Sequence, residues 1–297
     1  MLQEIANSFL GKNSNEAVFL TAFLYCQSGY KMRIARQDGK LCLLYACENY
    51  IYDKPSWTVD GEKFYPLGDM QGRVYVCNAP FPQESSLSLA IPQMPVLQGK
   101  YSNERKLTSE RFPEMQATAI TNTNLIDFYA TYPTSMINND FGTRWAFYAN
   151  VPASEEMQEI VYPQLQKLIE GKSQWETSNR LLNWIQTAFV YEYDDKIWGE
   201  DRALFPDETL YYPYCDCEDR SILFSRLVRD LMGLDVILLY YPGHLATAVR
   251  FTEEVAGDYL SVDGKRYVVC DPTFINAPVG RTMTGMDNAT AHVIFLE

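Results

Sequence analysis

Residues 217–250 read CEDRSILFSRLVRDLMGLDVILLYYPGHLATAVR, and residues 261–273 read SVDGKRYVVCDPT. After Cys217, Glu218 and Asp219, the leucines 223, 227 and 231 recur every fourth residue, which sets them on one stripe of a helix. Gly233 is the expected stop, because glycine takes the left-handed conformation of a helix end without steric cost. Residues 236–240, 245–251 and 266–270 are short runs of β-branched, aromatic and apolar side chains, and they read as strands. Asp263-Gly264 is a turn signal between the last two. Helices followed by antiparallel strands define an α+β class.

Upstream of this stretch, Ser154 with Glu155 and Glu156 behind it marks a helix start, with the acids where the helix dipole favours them. Met157, Ile160, Val161, Leu165 and Leu168 follow at helical spacing, and Pro163 is expected to kink or restart that helix. Ser173 and Glu176 form a capping-box pattern for a second helix, whose buried face is Leu181, Leu182, Ile185 and Phe189. A loop rich in charge and aromatics covers 191–214. Segment 79–140 has a different texture, with Pro80, Pro82, Pro92 and Pro95 ahead of Thr- and Asn-rich stretches. It reads as a linker with a few exposed strands, and 144–149 reads as one more. Residues 2–10 read as helix, with Leu2, Ile5, Ala6 and Phe9 on one stripe.

The N-terminal segment resembles a faded copy of the C-terminal one. At an offset of 204, Leu223 falls on Phe19, Leu227 on Phe23, Gly233 on Gly29, Leu238 on Ile34 and Gly243 on Gly39. Thr58-Val59-Asp60-Gly61 parallels Ser261-Val262-Asp263-Gly264 one residue out of that register. At the same offset Asn13 stands for Cys217 and Lys40 for His244, with Gly68 or Asp69 near the place of Asp271, so the copy lacks their chemistry. The expected organisation is a degenerate unit over 1–78, a proline-rich connector over 79–150 and a catalytic domain over 151–297.

Composition narrows the function. The 297 residues are 47% hydrophobic and 21% charged, which is globular, and the net charge is −13. Such an acidic chain is repelled by phosphate backbones and anionic lipid, which sets aside nucleic-acid and membrane-surface partners. No uninterrupted apolar run reaches the roughly 18 residues of a membrane span. No basic-then-apolar leader opens the chain, and a start inside a helical pattern leaves the compartment open, periplasm or secretion included. Seven cysteines make no dense disulfide framework and leave at least one thiol unpaired.

Acyl transfer by a thiol needs a thiolate, an imidazole to move the proton, and a group that fixes the imidazole tautomer. Only two histidines are present, and His292 has no reactive neighbour in sequence. His244 follows Pro242-Gly243 and opens a strand. Cys217 sits in the first turn of its helix, where free N–H groups and the dipole favour a thiolate. Asp216, Glu218 and Asp219 oppose that if they face the sulfur, and cap the helix if they face away. Asp271 ends a strand that Pro272-Thr273 stops, a position suited to holding imidazole Nδ1.

Cys217-Glu218-Asp219, Leu223-Phe224, Gly233, Gly243-His244 and Asp271-Pro272-Thr273, in that order, resemble the transglutaminase-like core of the papain-like superfamily. The resemblance implies a papain-like α+β core over about 175–280, with Cys217 as nucleophile, His244 as general base and acid, and Asp271 as orienting residue. It also implies an oxyanion hole formed by the Cys217 N–H and an upstream aromatic or amide side chain, for which Trp184 and Tyr212 are the candidates. Two positions depart from the pattern: Asp216 stands where Gly usually precedes the nucleophile, and Leu245-Ala246 replaces a small-then-aromatic pair.

The resulting expectation is cysteine-dependent hydrolysis or transfer at an amide bond of a protein or peptide substrate, through a thioester, without cofactor or metal. Hydrolysis is favoured over cross-linking, because nothing in the sequence marks an amine channel. The alternative is an inactive binding or scaffold protein on the same fold. Cys215, Cys217, His244 and Cys270 as a zinc set rank low, since Cys-x-Cys spacing suits zinc poorly. A Cys215–Cys270 disulfide ranks no higher. Asp194, Asp195, Glu200 and Asp201 lack the glycine punctuation of a calcium loop and read as a solvated acidic face.

Overall fold

The computed structural model describes every residue except 53, 138, 139 and 141. The chain divides into two compact units, Met1–Leu89 with Ser135–Asn139, and Ala90–Thr134 with Asp140–Glu297. Each combines helices with an antiparallel five-stranded sheet.

The first unit opens with α1 (Leu2–Leu10) and α2 (Asn15–Gln27). The Ser14 hydroxyl caps α2 by accepting the Ala17 N–H at 3.0 Å. Five strands follow: β1 (Met32–Gln37), β2 (Lys40–Ala46), β3 (Trp57–Val59), β4 (Glu62–Pro66) and β5 (Tyr75–Cys77), in the sheet order β3-β4-β2-β1-β5. Both faces of β2 are covered, Leu43 and Tyr45 packing with Tyr65 and Ile51, and Leu44 with Ala35 and Phe64. The apolar stripe expected along α1 is not a buried face. Ala6 is buried, whereas Ile5 and Phe9 are 42% and 77% exposed. The unit runs past 78 because residues 85 and 87 bridge to Tyr30 and Cys47.

The second unit begins within the stretch expected to be a connector. Its hairpin, β6 (Arg105–Thr108) and β7 (Gln116–Ala119), buries Leu107, Ala117 and Ala119 in the main core, so these strands are not exposed. α3 (Thr123–Tyr129) follows. Residues 144–149, expected as a strand, belong to helix α4 (Thr143–Asn150). Its buried residues Trp145, Tyr148 and Ala149 have the three-and-four spacing of a helix face. A five-residue π-helical turn, Met157–Val161, leads into α5 (Tyr162–Ile169), with Pro163 in its first turn. The helix thus restarts where proline has no N–H to offer. α6 (Gln174–Ala188) is capped by Ser173, which accepts the Glu176 N–H at 3.1 Å. The Glu176 carboxylate turns instead to Arg180 and Lys172.

α7 (Pro206–Tyr211) and α8 (Cys217–Met232) precede the second sheet. Its strands are β8 (Asp235–Tyr241), β9 (His244–Arg250), β10 (Tyr259–Val262), β11 (Lys265–Cys270) and β12 (His292–Phe295), in the order β10-β11-β9-β8-β12. Strand for strand this is the order of the first sheet, each preceded by a capped helix. The two Asp-Gly hairpins agree as well: φ is 51° and 84° at Asp60-Gly61, and 50° and 73° at Asp263-Gly264. Two successive positive φ values make the turn whose twist suits a two-residue hairpin. Helix starts align Asn15, not Asn13, with Cys217. Asn15 Oδ1 accepts the Leu41 N–H at 2.9 Å, and Leu41 follows Lys40, the counterpart of His244.

The main core of the second unit lies among α5, α6, α8, the β6–β7 hairpin and the sheet. Trp184 is its largest fully buried side chain, and its indole N–H donates to the Leu107 carbonyl at 3.0 Å. Replacing Trp184 with Ala is expected to lower the stability of this unit by about 3–5 kcal/mol through the cavity it leaves. A denaturant titration checks this, and a loss below about 1 kcal/mol would contradict a load-carrying indole.

Candidate active site

Helix α8 starts where its cap is strongest. The Asp216 carboxylate accepts the Glu218 N–H at 3.2 Å, and Asp219 Oδ2 accepts the Asp216 N–H at 3.1 Å. Asp219 Oδ1 also takes the Leu204 N–H at 2.7 Å, tying the preceding loop to the helix. The first residue inside the helix is Cys217. One turn on, the Ser221 hydroxyl donates to the Leu245 carbonyl at 2.9 Å. That bond fastens β9 beside the first turns of α8.

His244 is the first residue of β9, opposite Tyr241 on β8. β11 pairs with β9 as far as Thr247↔Cys270, which delivers the next residue, Asp271, to the imidazole. His244 Nε2 and Asp271 Oδ2 lie 2.9 Å apart, and both side chains are buried. The carboxylate therefore holds Nε2, not the Nδ1 expected from sequence, and Nδ1 is left as the nitrogen for proton transfer. Asp271 Oδ1 accepts the N–H groups of Thr273 and Phe274 at 2.9 and 3.1 Å. Gln186 on α6 fixes this loop from below, its amide donating to the carbonyls of Asp271, Phe274 and Ala277. Arg220 is buried and closes the end of α6, donating to the carbonyls of Gln186 and Phe189.

Cys217 and His244 line one cavity of about 270 Å³, together with Arg144, Trp145, Tyr191, Tyr193, Asp201, Asp216, Glu218 and Tyr240. That is just under the roughly 300–1,000 Å³ of small-molecule sites, room for a side chain and a reacting amide. Hollows of about 610 and 640 Å³ lie elsewhere in the unit and contain neither thiol nor imidazole.

Of the sequence candidates, Cys217, His244 and Asp271 come together, whereas Trp184 and Tyr212 do not. Trp184 is sealed in the core, its N–H spent on Leu107. Tyr212 lines the separate hollow beside Arg105, with its ring against Trp198. The aromatic side chains that line the cavity are Trp145, Tyr191, Tyr193 and Tyr240, and Tyr191 is the one carried by a strand beside Cys215. It arrives there through a two-residue parallel pairing, Val190↔Tyr214 and Tyr191↔Cys215. Arg144, Trp145 and Tyr240 were also missed as site residues. The first two sit on α4, which the sequence presented as a strand.

The electrostatics are acidic. The thiol S–H donates to Glu218 Oε2 at 3.1 Å. Among the described residues, no hydrogen bond joins the sulfur to His244. Burial, then Glu218 and Asp216, pushes the Cys217 thiol well above the ordinary thiol range, and the Leu245 N–H offsets this in part. Burial and the carboxylates of Asp219, Glu218 and Asp194 push Asp216 well above the ordinary carboxylate range. Arg144 forms a bidentate pair with Asp201 at 2.8 and 3.0 Å and reaches Glu218 Oε1 at 3.4 Å. The acidic loop is not wholly a solvated face: Asp194 is buried and accepts the Arg202 N–H at 2.7 Å. All seven cysteines are free thiols, with Cys215 against Arg220 and Cys270 against the Val268 carbonyl, so no disulfide joins those two.

No protein-family model matches this chain, and neither does any curated protein.

Burial raises Asp194 and Glu208 to about 7 and Asp207 to about 6. Their folded forms bind protons more tightly than the unfolded chain, so stability is greatest below the ordinary carboxylate range and falls as pH rises toward 7. The urea midpoint of the second unit is expected to be higher at pH 5 than at pH 8, and Asp194→Asn should flatten the slope. A midpoint that stays level or rises across this window would refute the assignment.

Proposed function

We propose that the second unit is a transglutaminase-like, papain-like cysteine enzyme that hydrolyses an amide bond in a protein or peptide through a thioester. The observation that carries this reading is the His244–Asp271 pair facing the same small cavity as a cysteine at a helix N-terminus. A thiol and a carboxylate-held imidazole on one cavity are the groups that thiol acyl transfer requires.

In this reading the Cys217 proton passes to His244 Nδ1, and Asp271 steadies the imidazolium through Nε2. The thiolate attacks the carbonyl carbon, and the oxyanion is received by the Cys217 N–H and the Tyr191 hydroxyl. As the C–N bond breaks, His244 returns the proton to the departing amine. Water then attacks the thioester with His244 as base, and the sulfur leaves as thiolate. The Tyr191 assignment takes the place of Trp184 and Tyr212.

A second reading is a binding or scaffold protein that retains the fold without turnover. It is favoured by the thiol resting on Glu218 and not on the imidazole. The first unit points the same way, keeping the strand order with Asn15 and Lys40 at the corresponding positions.

An activated ester separates the two. p-Nitrophenyl acetate should release a burst of nitrophenolate and leave an acetyl group on Cys217, detected by peptide mass. His244→Ala should slow acylation by about 10²–10⁴-fold, the usual worth of a positioned base. Absence of acetyl-Cys217, or acylation indifferent to His244, would leave the scaffold reading.

A further inference from the structure

The sulfur and the imidazole share a cavity, yet the hydrogen bond from the thiol goes to a carboxylate. Glu218 is the second residue of α8, and its backbone N–H is already committed to the Asp216 cap. Its side chain is about 90% buried, with Oε2 on the sulfur and Oε1 toward Arg144. Arg144 is itself shared, since its two terminal nitrogens grip Asp201, whose side chain is 62% exposed at the cavity wall. Glu218 therefore stands between two donors, a thiol and a guanidinium, and its contact with the guanidinium is the longer one.

We propose that Glu218 is a latch on the nucleophile: it holds the Cys217 proton in the resting site, and the site becomes reactive when Glu218 swings fully onto Arg144. The inference deepens the cysteine-enzyme reading and concerns regulation of that same site. With Glu218 withdrawn, the thiol is free to turn to His244 Nδ1. The S–H bond breaks and an N–H bond forms at Nδ1, so the imidazole becomes a cation held by Asp271, the sulfur becomes an anion, and the net charge of the pair is unchanged.

Charge around the latch has consistent signs. Asp194, in the helix at 194–197, and Asp201 bring carboxylate oxygens within 4.8 Å of Glu218, and Asp216 lies within the same reach of Glu218 and the Cys217 sulfur. Asp219 follows Glu218 in the first turn of α8. Arg144 on α4 is the cation in the cavity wall that faces Glu218, and Asp201 competes with Glu218 for it. His244, at the start of β9, lines the same cavity. Glu218 thus stabilises a protonated thiol beside it and would oppose a thiolate in the same place by like-charge repulsion.

The test is the pH dependence of iodoacetamide alkylation at Cys217 in the whole chain, followed by peptide mass. Because only the thiolate reacts, Glu218→Gln should speed alkylation at neutral pH by about tenfold or more and move the inflection to lower pH, one unit per factor of ten. In the unaltered chain the inflection should lie above that of glutathione, a measurement that stands even if the variant fails to fold. Equal or slower alkylation in Glu218→Gln, or a native inflection at or below that of glutathione, overturns the latch. Adding His244→Ala to Glu218→Gln separates this from the triad: faster alkylation that ignores His244 upholds the latch and removes the triad.

Discussion

The seam between α8 and β9 governs the site. The Ser221 hydroxyl on the Leu245 carbonyl ties the first turns of the helix to the start of the strand across two separate stretches of chain. The spacing of 27 from Cys217 to His244 is spanned by α8 and by β8, which pairs with β9, and the seam joins the two ends of that stretch. The sulfur and the imidazole line one cavity, and the chemistry available there follows from which neighbour the thiol addresses. The carboxylate cluster around the helix start has the same origin. A cap strong enough to start α8 needs acids at its first turn, and the same acids surround the sulfur.

Much of this was legible in the sequence because it depends on local rules. The leucine stripe of α8, its acidic cap and its glycine stop are short-range signals, and the Asp-Gly hairpin sets the register that brings Asp271 beside β9. What failed depended on orientation or on remote pairing. Residues 144–149 place aromatic and small side chains so that an alternating and a helical reading both fit, and burial decided for the helix. Trp184 and Tyr212 were reasonable aromatic candidates, but no sequence rule says which way an indole or a phenol points. Tyr191 reaches the cavity only through two residues of parallel strand, too short to leave a pattern. Which imidazole nitrogen meets Asp271 is a matter of a ring torsion.

The offset of spacings between the two segments has a counterpart in the sheets, whose strands follow the same order. A match in strand order, paired turn dihedrals and helix position is a stronger statement than matching apolar residues, which arise from any amphipathic helix. The structure also moves the correspondence by two residues. Asn15 occupies the helix start, and its side chain accepts the N–H of Leu41, the residue after Lys40. An amide serves there as a structural tie where a thiol sits in the other half.

Gln186 carries a further consequence. One primary amide supplies hydrogen bonds to the carbonyls of Asp271, Phe274 and Ala277, while its own carbonyl oxygen receives the Asn276 N–H at 3.1 Å. A donor divided three ways has no slack, so the hairpin of chain carrying Asp271 is indexed to a helix 85 positions upstream. Rotation of that helix is geared to the tilt of the imidazole, while the sulfur rides on a different shaft.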